Sequence, residues 1–390
     1  MGRLQFRVLA KDGMARIGIL RLKHGNVQTP ELMPVATNAT VKAVPLDRLQ
    51  AQMLICNTYH LMLKPGADVI EELGGLNKFM NWKKPLVTDS GGFQAFSLGL
   101  GKEHGTTKMY KPRKNEQLKP GKPLAVVAEK GVHFRSIYDN SRQFLTPKKS
   151  IEVQEKLGAD MILALDECTS PLSDKAYVKK SLERTNRWAL ESLAAHTSGQ
   201  ALAGIVQGSH WKDLRKQSAR FIASQPFDAI AIGGSLGKTK KDMHNILDWV
   251  VEELPEEKPR HLLGIGVVED IFEAVDRGID LFDCVSPTRL ARCGYAYVRP
   301  PLGTMRNKFR VRLKAAAFKK DPAPIDSDCP CRVCKLYSRA YINHLFNAKE
   351  LLAFTLLSHH NVSFFLNLTA EIRVAIKKKK YAELKARWIG

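Results

Sequence analysis

The sequence lacks any run of about 18 consecutive apolar residues, the length that a membrane-spanning helix needs. Its first residues, MGRLQFRVLAKDG, also lack the apolar core of a secretory signal. We therefore expect no membrane span. A reducing cytosol is the compartment that best fits the seven cysteines, an odd number.

Acidic residues are too few to balance the basic ones. Asp and Glu total 39 against 61 Lys and Arg, which gives a formal net charge of +22. An excess of this size predicts a polyanionic partner such as nucleic acid. A basic surface that only faces solvent is the alternative.

Short apolar runs recur along the chain and end in polar residues or glycine. The eight runs are LMPVATN (32–38), MLICNTYH (53–60), PLVTDSGG (85–92), MILALDE (161–167), LAGIVQG (202–208), AIAIGG (229–234), LLGIGV (262–267) and DLFDCV (280–285). Continuous rather than alternating apolar character is typical of parallel strands that are buried on both faces. The pattern predicts an α/β fold, a (β/α)8 TIM barrel, and a doubly wound open sheet is the alternative.

The segments between these runs predict the crossover helices that parallel strands need. In one of them Thr146 can cap a helix, Pro147 fits its first turn and Gly158 can end it. A second helix is predicted from about Asp174 to His196.

Two basic segments break the pattern. Residues 101–131 are rich in Gly, Pro and Lys, which predicts an insertion after the third strand, either a lid or a loop that faces RNA. The C-terminus, with four consecutive lysines at 377–380, predicts a basic helix that contacts phosphate or only faces solvent.

Polar residues follow the predicted strands at the end of a barrel where active sites assemble. They are Asp89, Asp166, Asp283, Gln207 and the pair Gly233 and Gly234. Paired carboxylates suit cleavage of a bond to a sugar's anomeric carbon, one as nucleophile and one as proton carrier. A metal-binding triad is a weaker alternative, and each aspartate alone could cap the next helix.

The same residues predict recognition of a planar base. Asp166 and Glu167 can accept hydrogen bonds from its N–H groups, while Gln207 and a glycine N–H can bind its carbonyl, a pattern suited to guanine. The Gly91 and Gly92 that follow Ser90 allow a tight turn with amide groups close to a ligand.

Three cysteines, Cys329, Cys331 and Cys334, have the C-x-C-x-x-C spacing of thiolate ligands for a tetrahedral zinc ion. A fourth ligand is needed, and spacing leaves His344, His359 and His360 open as candidates. Four protein ligands would make the site closed and structural.

With these residues assembled, the sequence closely resembles the tRNA-guanine transglycosylase family of the bacterial type over nearly its whole length. The shared motifs include CNTYHL, VTDSGGFQAFSL, LALDEC, AIGGSLG, FDCVSPTRLAR, CPCRVC and SHHN. The resemblance implies a zinc-bearing (β/α)8 barrel that takes part in queuosine biosynthesis. Such an enzyme exchanges guanine at the wobble position of GUN-anticodon tRNAs for a free 7-deazaguanine base.

The resemblance also implies a role for each matching residue. Asp283 matches the nucleophile and Asp89 the general acid/base. The base-binding candidates are Asp166, Gln207, Gly234, Phe93, Leu263 and Ser90; the tRNA-binding candidates are Arg289 and Arg292; and the zinc ligands are Cys329, Cys331, Cys334 and His360. Transfer would run by double displacement through a covalent Asp–ribose intermediate. A cytoplasmic homodimer is the implied assembly.

The sequence departs from the bacterial pattern after its IGG motif. The family's LAVGE segment supplies a glutamate for the aminomethyl group of 7-aminomethyl-7-deazaguanine, and the matching SLGKT has Gly237 and Thr239 instead. Loss of the acid and the small Gly237 favour a bulkier base such as queuine.

Two other functions compete with this one, a non-catalytic tRNA-binding subunit of a heterodimer and an N-glycoside hydrolase that releases a base to water. The first should lack the aspartates, which this chain has. For domain organisation we expect a catalytic barrel at 1–307, including the insertion. Residues 308–390 should form a zinc-binding subdomain with C-terminal helices that complete the barrel.

Overall fold

The computed structural model describes residues 3–96, 125–237 and 239–390. The strands in these residues are β1 (Gln5–Asp12), β2 (Ala15–Leu22), β3 (Gly25–Thr29), β4 (Glu31–Ala36), β5 (Leu54–Cys56), β6 (Leu86–Thr88), β7 (Ala125–Ala128), β8 (Gly131–Arg135), β9 (Arg142–Leu145), β10 (Met161–Leu163), β11 (Ala201–Val206), β12 (Ala229–Ile232), β13 (Arg260–Leu262), β14 (Leu281–Cys284), β15 (Tyr295–Tyr297) and β16 (Arg310–Arg312).

Eight of these strands close into a parallel barrel in the order β10-β11-β12-β13-β14-β4-β5-β6. Seven of the predicted apolar runs coincide with these strands. The eighth, 262–267, overlaps β13 only at Leu262, because the chain turns at Gly264, whose φ is +69°. The predicted (β/α)8 barrel is confirmed, and the open-sheet alternative is wrong.

The helices of the described residues lie mainly between the barrel strands and after the last one. Their bounds are Thr58–Leu63, Ala67–Glu72, Gly75–Phe79, Pro147–Leu157, Lys175–Ala195, Lys212–Ser224, Lys240–Val251, Val268–Val275, Ser286–Arg292, Arg332–Leu336, Arg339–Asn347, Leu351–Lys377 and Tyr381–Ile389. Short 3-10 turns occupy Leu46–Arg48 and Ala316–Phe318. Among the described residues, no helix combines the length and the apolar character needed to cross a membrane.

Both helices predicted in detail are confirmed with their caps. The Thr146 side chain accepts a hydrogen bond from the Lys149 N–H, and Gly158 ends the helix in the left-handed conformation, with a φ of 76°. Asp174 caps the second helix by accepting from the Tyr177 N–H.

The structure divides into two compact units. The first comprises Met1–Arg7, Leu20–Asn26 and Ile55–Leu263, and it contains β6 to β13. The second comprises Val8–Ile19, Val27–Leu54 and Gly264–Gly390, and it contains β4, β14 and the C-terminal helices. The predicted boundary after residue 307 stays a prediction.

Small sheets that the sequence did not predict accompany the barrel. β1, β2 and β3 form one three-stranded sheet, and β7, β8 and β9 form another. β7 pairs antiparallel with β8, so the last residues of the predicted 101–131 insertion belong to regular structure. Residues 101–124 of that insertion lie outside the described residues.

The predicted C-terminal basic helix is wrong in one respect, because the lysine run breaks it into two helices. The first ends at Lys377, and Lys379 takes a left-handed φ of 57°. The Lys380 N–H donates to the Ala375 carbonyl and the Lys379 N–H to the Ile376 carbonyl, which is the Schellman pattern that ends helices. The lysines at 378–380 therefore occupy the turn between the two helices.

Candidate active site and metal centre

Asp89 follows β6 directly and is held by a cluster of donors. Its Oδ2 accepts from Asn57 Nδ2 at 2.6 Å and Gln94 Nε2 at 3.2 Å. Its Oδ1 accepts from the Thr58 N–H at 2.9 Å and the Gly91 N–H at 3.1 Å. N–H donors to both oxygens stabilise the ionised carboxylate, the form that can take a proton.

Asn57 and Thr58 were missed in the sequence. The sequence pattern could have identified them as site residues, because they follow β5 directly, just as Asp89 follows β6. The Cys56 thiol lies at the end of β5, and burial, with the nearby Asp89 charge, raises its pKa well above the usual range. Cys56 is therefore a neutral thiol and a poor nucleophile.

The turn after Asp89 is as tight as the sequence predicted. Gly91 has a φ of +78°, and a Cβ there would lie 3.2 Å from the Tyr59 nitrogen. Ser90 is buried, and its hydroxyl lies 3.4 Å from Asp166 Oδ1. Phe93, two residues after the turn, is partly exposed in a helical segment.

Asp166 and Gln207 lie side by side in the first unit. Both are buried, at 7% and 2% exposure, and Gln207 Nε2 donates to Asp166 Oδ2. Gly234, with a φ of +78°, lies against them, since a Cβ there would be 2.0 Å from Gln207 Oε1. A Cβ on Gly233 would be 3.0 Å from Gln207 Nε2. The glycine pair thus lets the backbone approach a carboxylate and an amide.

The Gln207 amide has unused hydrogen-bonding capacity. Its Oε1 is buried without a partner among the described residues, while its backbone N–H donates to Ser218 Oγ at 3.0 Å. Buried polar atoms are normally satisfied, so an unpaired one beside a carboxylate points to a polar ligand. Leu263, predicted to contact the same ligand, is partly exposed just after β13.

Glu167 does not serve the role that the sequence predicted for it. One carboxylate oxygen accepts from the Tyr177 hydroxyl at 2.6 Å, and the other accepts from Arg184. Arg184 also donates to Glu129. Because these protein donors occupy both oxygens, Glu167 fixes the chain after Asp166 and is not free to bind a base.

Local packing and helix capping explain the residue types at Gly237 and Thr239. Gly237 has a φ of +85°, and a Cβ there would lie 2.3 Å from Asp242 Cβ. Thr239 and Asp242 form a reciprocal capping box at the start of the helix Lys240–Val251. The small Gly237 therefore makes room for Asp242, and the preference for a larger base stays a prediction.

Asp283 lies in the second unit near the end of β14, opposite Met33 of β4. It is partly exposed, and its Oδ1 accepts from the Gly264 N–H at 2.8 Å. An accessible carboxylate oriented by a backbone donor is compatible with the predicted role of nucleophile, which stays a prediction.

Arg289 and Arg292 lie in the last turn of the helix Ser286–Arg292, which follows Asp283. Arg289 is exposed, whereas Arg292 is partly buried and donates to the Thr288 carbonyl at 2.9 Å. Arg289 is thus the more accessible of the two predicted RNA contacts.

Cys329, Cys331, Cys334 and His360 come together in the second unit, all buried, with ligand atoms within 4.8 Å of one another. The three sulfurs lie 3.8, 3.5 and 3.3 Å from His360 Nδ1. Zinc bonds of about 2.3 Å to sulfur and 2.0 Å to nitrogen at tetrahedral angles place such atoms about 3.5 Å apart. The cluster could therefore hold a tetrahedral metal ion.

The structure also decides which histidine belongs to this cluster. His344 is exposed, and the neighbouring His359 is not part of the cluster, in which only His360 joins the thiols among the described residues. His360 Nε2 lies 2.7 Å from the Tyr297 carbonyl oxygen. That bond fixes the tautomer with the proton on Nε2, which leaves Nδ1 free to bind a metal.

Comparison with known proteins identifies related sequences over the whole chain. The family model described as Queuine tRNA-ribosyltransferase matches residues 11–390. A protein of Archaeoglobus fulgidus named putative queuine tRNA-ribosyltransferase is 49% identical over 400 residues, which cover 99% of each chain.

Two bacterial proteins named queuine tRNA-ribosyltransferase are similar to a comparable degree. The protein of Halothermothrix orenii is 46% identical over 95% of this chain and 92% of its own. That of Caldanaerobacter subterraneus subsp. tengcongensis is 44% identical over 100% of this chain and 98% of its own.

Proposed function

The chain belongs to the queuine tRNA-ribosyltransferase family, and on that premise we propose that it exchanges guanine at the wobble position of GUN-anticodon tRNAs for a free 7-deazaguanine base. Membership of this family indicates tRNA-guanine transglycosylase activity, in which a pentosyl group is transferred from one base to another. The identity of the base, the set of tRNAs and the roles of the residues are all proposed.

The observation that carries the proposal is the grouping of Asp166, Gln207 and Gly234. A guanine edge presents N–H donors beside a carbonyl acceptor. The Asp166 carboxylate and the unpaired Gln207 Oε1 match the donors. The second N–H of Gln207 Nε2, whose other N–H donates to Asp166, matches the carbonyl together with the Gly234 N–H. A site that hydrogen-bonds its ligand in this way rejects analogues that leave its buried groups unpaired.

In the first displacement, Asp283 attacks the ribose anomeric carbon. A bond forms between its carboxylate oxygen and C1′, while the bond from C1′ to N9 of guanine breaks and its electron pair leaves with the base. The departing guanine takes up a proton at N9 from the protonated form of Asp89, the proposed donor, and Asp89 is left as the carboxylate. The tRNA is then held covalently through an ester.

In the second displacement, the incoming base replaces Asp283. Asp89 takes the proton from N9 of that base, and the nitrogen attacks C1′ as the ester bond breaks. The donors around Asp89 suit this step, since they stabilise the carboxylate that must accept the proton. One glycosidic bond is exchanged for another, so no ATP is consumed.

The target base must leave its stack before these steps, at a cost of a few kcal/mol. A net charge of +22 and the exposed Arg289 support binding of the RNA backbone. A hairpin loop permits extrusion more easily than a duplex. We also propose that the protein acts as a homodimer in the cytoplasm.

We assign the metal cluster to one structural zinc ion, held by Cys329, Cys331, Cys334 and His360. With four protein ligands, zinc supplies structural cross-linking and no open position for substrate. The three thiolates and the oriented imidazole are a donor set that zinc prefers.

The direct test is incorporation of labelled guanine into a tRNA with a GUN anticodon. We expect label to enter the tRNA with no ATP present, and no label to enter the same RNA with adenine at the wobble position. Failure to incorporate label with folded, metal-loaded protein would contradict the proposal.

Substitution of Gly234 by alanine tests the base site itself. The added Cβ would lie 2.0 Å from Gln207 Oε1, so the amide must move. A displacement of this size should lower kcat/KM for guanine on the order of 100-fold. Gly199→Ala is the matched control, because no atom lies within 4 Å of its Cβ position. Equal activity of the two variants would count against base binding at this position.

A further inference from the structure

Arg215 is a fully buried cation, with 0% exposure, in the first turn of the helix Lys212–Ser224. Its Nε donates to the Ser209 carbonyl at 2.6 Å. Nη1 donates to the carbonyls of Val206 at 3.2 Å and Gly233 at 2.9 Å, and Nη2 donates to that of Ser235 at 2.8 Å. Among the described residues no carboxylate forms an ion pair with it. The guanidinium is thus surrounded by backbone oxygens.

A buried, unpaired charge is expensive. Desolvation of an ion costs several kcal/mol, and the four carbonyl contacts offset part of that cost. Burial lowers the pKa of Arg215 to about 10, so the group stays protonated at neutral pH. An apolar residue would fill the same space without this penalty, which points to a task for the guanidinium beyond packing.

Three of the carbonyls that Arg215 binds belong to two neighbouring loops, and the fourth is that of Val206, the last residue of β11. One follows β11 and contains Gln207, and the other follows β12 and contains Gly234. The loops are also joined directly, since the Gly233 N–H donates to the Val206 carbonyl at 3.0 Å. The rigid fork of a guanidinium can hold several acceptors at once, which a lysine ammonium on a flexible stem cannot.

Peptide geometry connects these contacts to the base site. In a trans peptide the C=O and the following N–H point in opposite directions. The Gly233 carbonyl points to Arg215, so the Gly234 N–H points away from it. No oxygen of the described residues accepts that N–H. Glycine on both sides of this peptide gives it little intrinsic resistance to rotation.

We infer that Arg215 is a positioning residue that fixes the peptide between Gly233 and Gly234, so that its N–H is aimed at the carbonyl of the bound base. This inference rests on the proposed function, because it concerns the same base site. Arg215 does not touch the base. It determines how well the site discriminates and binds a base that presents a carbonyl acceptor.

The test is Arg215→Lys in the full chain, assayed for labelled guanine incorporation. Lysine keeps the charge but cannot hold all four carbonyls. We expect KM for guanine to rise about tenfold or more, the effect of one misdirected hydrogen bond, with KM for tRNA changed less than about twofold. Arg215→Gln should show the same split between the two KM values.

Arg260→Lys is the matched control. Arg260 is also buried and donates to backbone carbonyls, those of Leu254 and Pro255, but it lies at the first residue of β13, away from the strand ends that carry the base site. We expect it to lower the melting temperature while KM for guanine stays unchanged.

The outcomes separate this inference from the proposed function. Absence of exchange by the wild-type protein would refute the function itself. Wild-type exchange with an unchanged guanine KM in folded Arg215→Lys would overturn only the inference. Failure of both Arg215 variants to fold would also overturn it, since the arginine would then serve stability alone.

Discussion

Substitution of Asp283 by asparagine is expected to abolish the covalent enzyme–tRNA adduct and to lower exchange by several orders of magnitude. Asparagine keeps the size of the side chain and can still accept from the Gly264 N–H, so the fold should persist. The neutral amide is a poor nucleophile toward an anomeric carbon. The measurement is a denaturing gel of enzyme incubated with tRNA, on which the adduct migrates as a slower band.

Asp276→Asn is the matched control for this experiment. Asp276 belongs to the same unit but is exposed, and it pairs with Lys385 at 2.8 Å. Its substitution should leave the adduct intact. An adduct that survives in Asp283→Asn would move the nucleophile to another residue.

Removal of the metal is expected to destabilise the protein before it affects the chemistry. The three cysteines belong to a buried apolar cluster with residues such as Ile342, Leu345 and Leu357. Without the metal ion the cluster loses the cross-link between its four ligands. If zinc contributes several kcal/mol, the melting temperature should fall by roughly 10 °C after chelation and recover when zinc is restored.

The histidine variants sharpen this test. His360→Ala should lower the zinc content and the melting temperature together, whereas His344→Ala, at an exposed position, should retain one ion per chain. Metal content is measured by elemental analysis and stability by thermal unfolding. An unchanged melting temperature after verified loss of metal would contradict the assignment of a structural ion.

The barrel was predictable because its strands are buried on both faces and so read as continuous apolar runs, as in ALAGIV of β11. The caps at Thr146 and Gly158 were predictable for a local reason, since each residue type is favoured by the backbone geometry at its position. The family resemblance stated from the motifs is confirmed by the comparisons.

Other features depend on contacts that no local pattern reveals. Lys379 adopts the left-handed conformation although it is not a glycine, the residue that usually marks such a helix end. The break in the last helix could therefore not be predicted. In the sequence, Arg215 cannot be distinguished from the other basic residues of an amphipathic helix. Only the fold shows that backbone carbonyls surround it. The sequence does not show that Asp242 packs against Gly237, a contact that the fold alone creates.

In the candidate site, too, some features could be predicted from the sequence and others could not. The residue types at the strand ends indicated the chemistry, but their partners decide which of them are available. Glu167 and Asp166 are adjacent in sequence, yet Glu167 is bound to Tyr177 and Arg184, whereas Asp166 lies beside Gln207. The roles of Asp283 and Asp89 stay predictions that kinetics must test.

The most direct test of the account is the fate of labelled guanine already placed at the wobble position of a GUN-anticodon tRNA. Incubated with enzyme alone, the tRNA should keep its label except for an amount equal to the enzyme present. Addition of queuine or 7-aminomethyl-7-deazaguanine should release guanine and place the added base in the tRNA, one for one. We expect queuine to act faster, because the chain lacks the family's glutamate for an aminomethyl group. Full release of label to water, with abasic tRNA and no need for a free base, would make the protein a hydrolase and contradict the account.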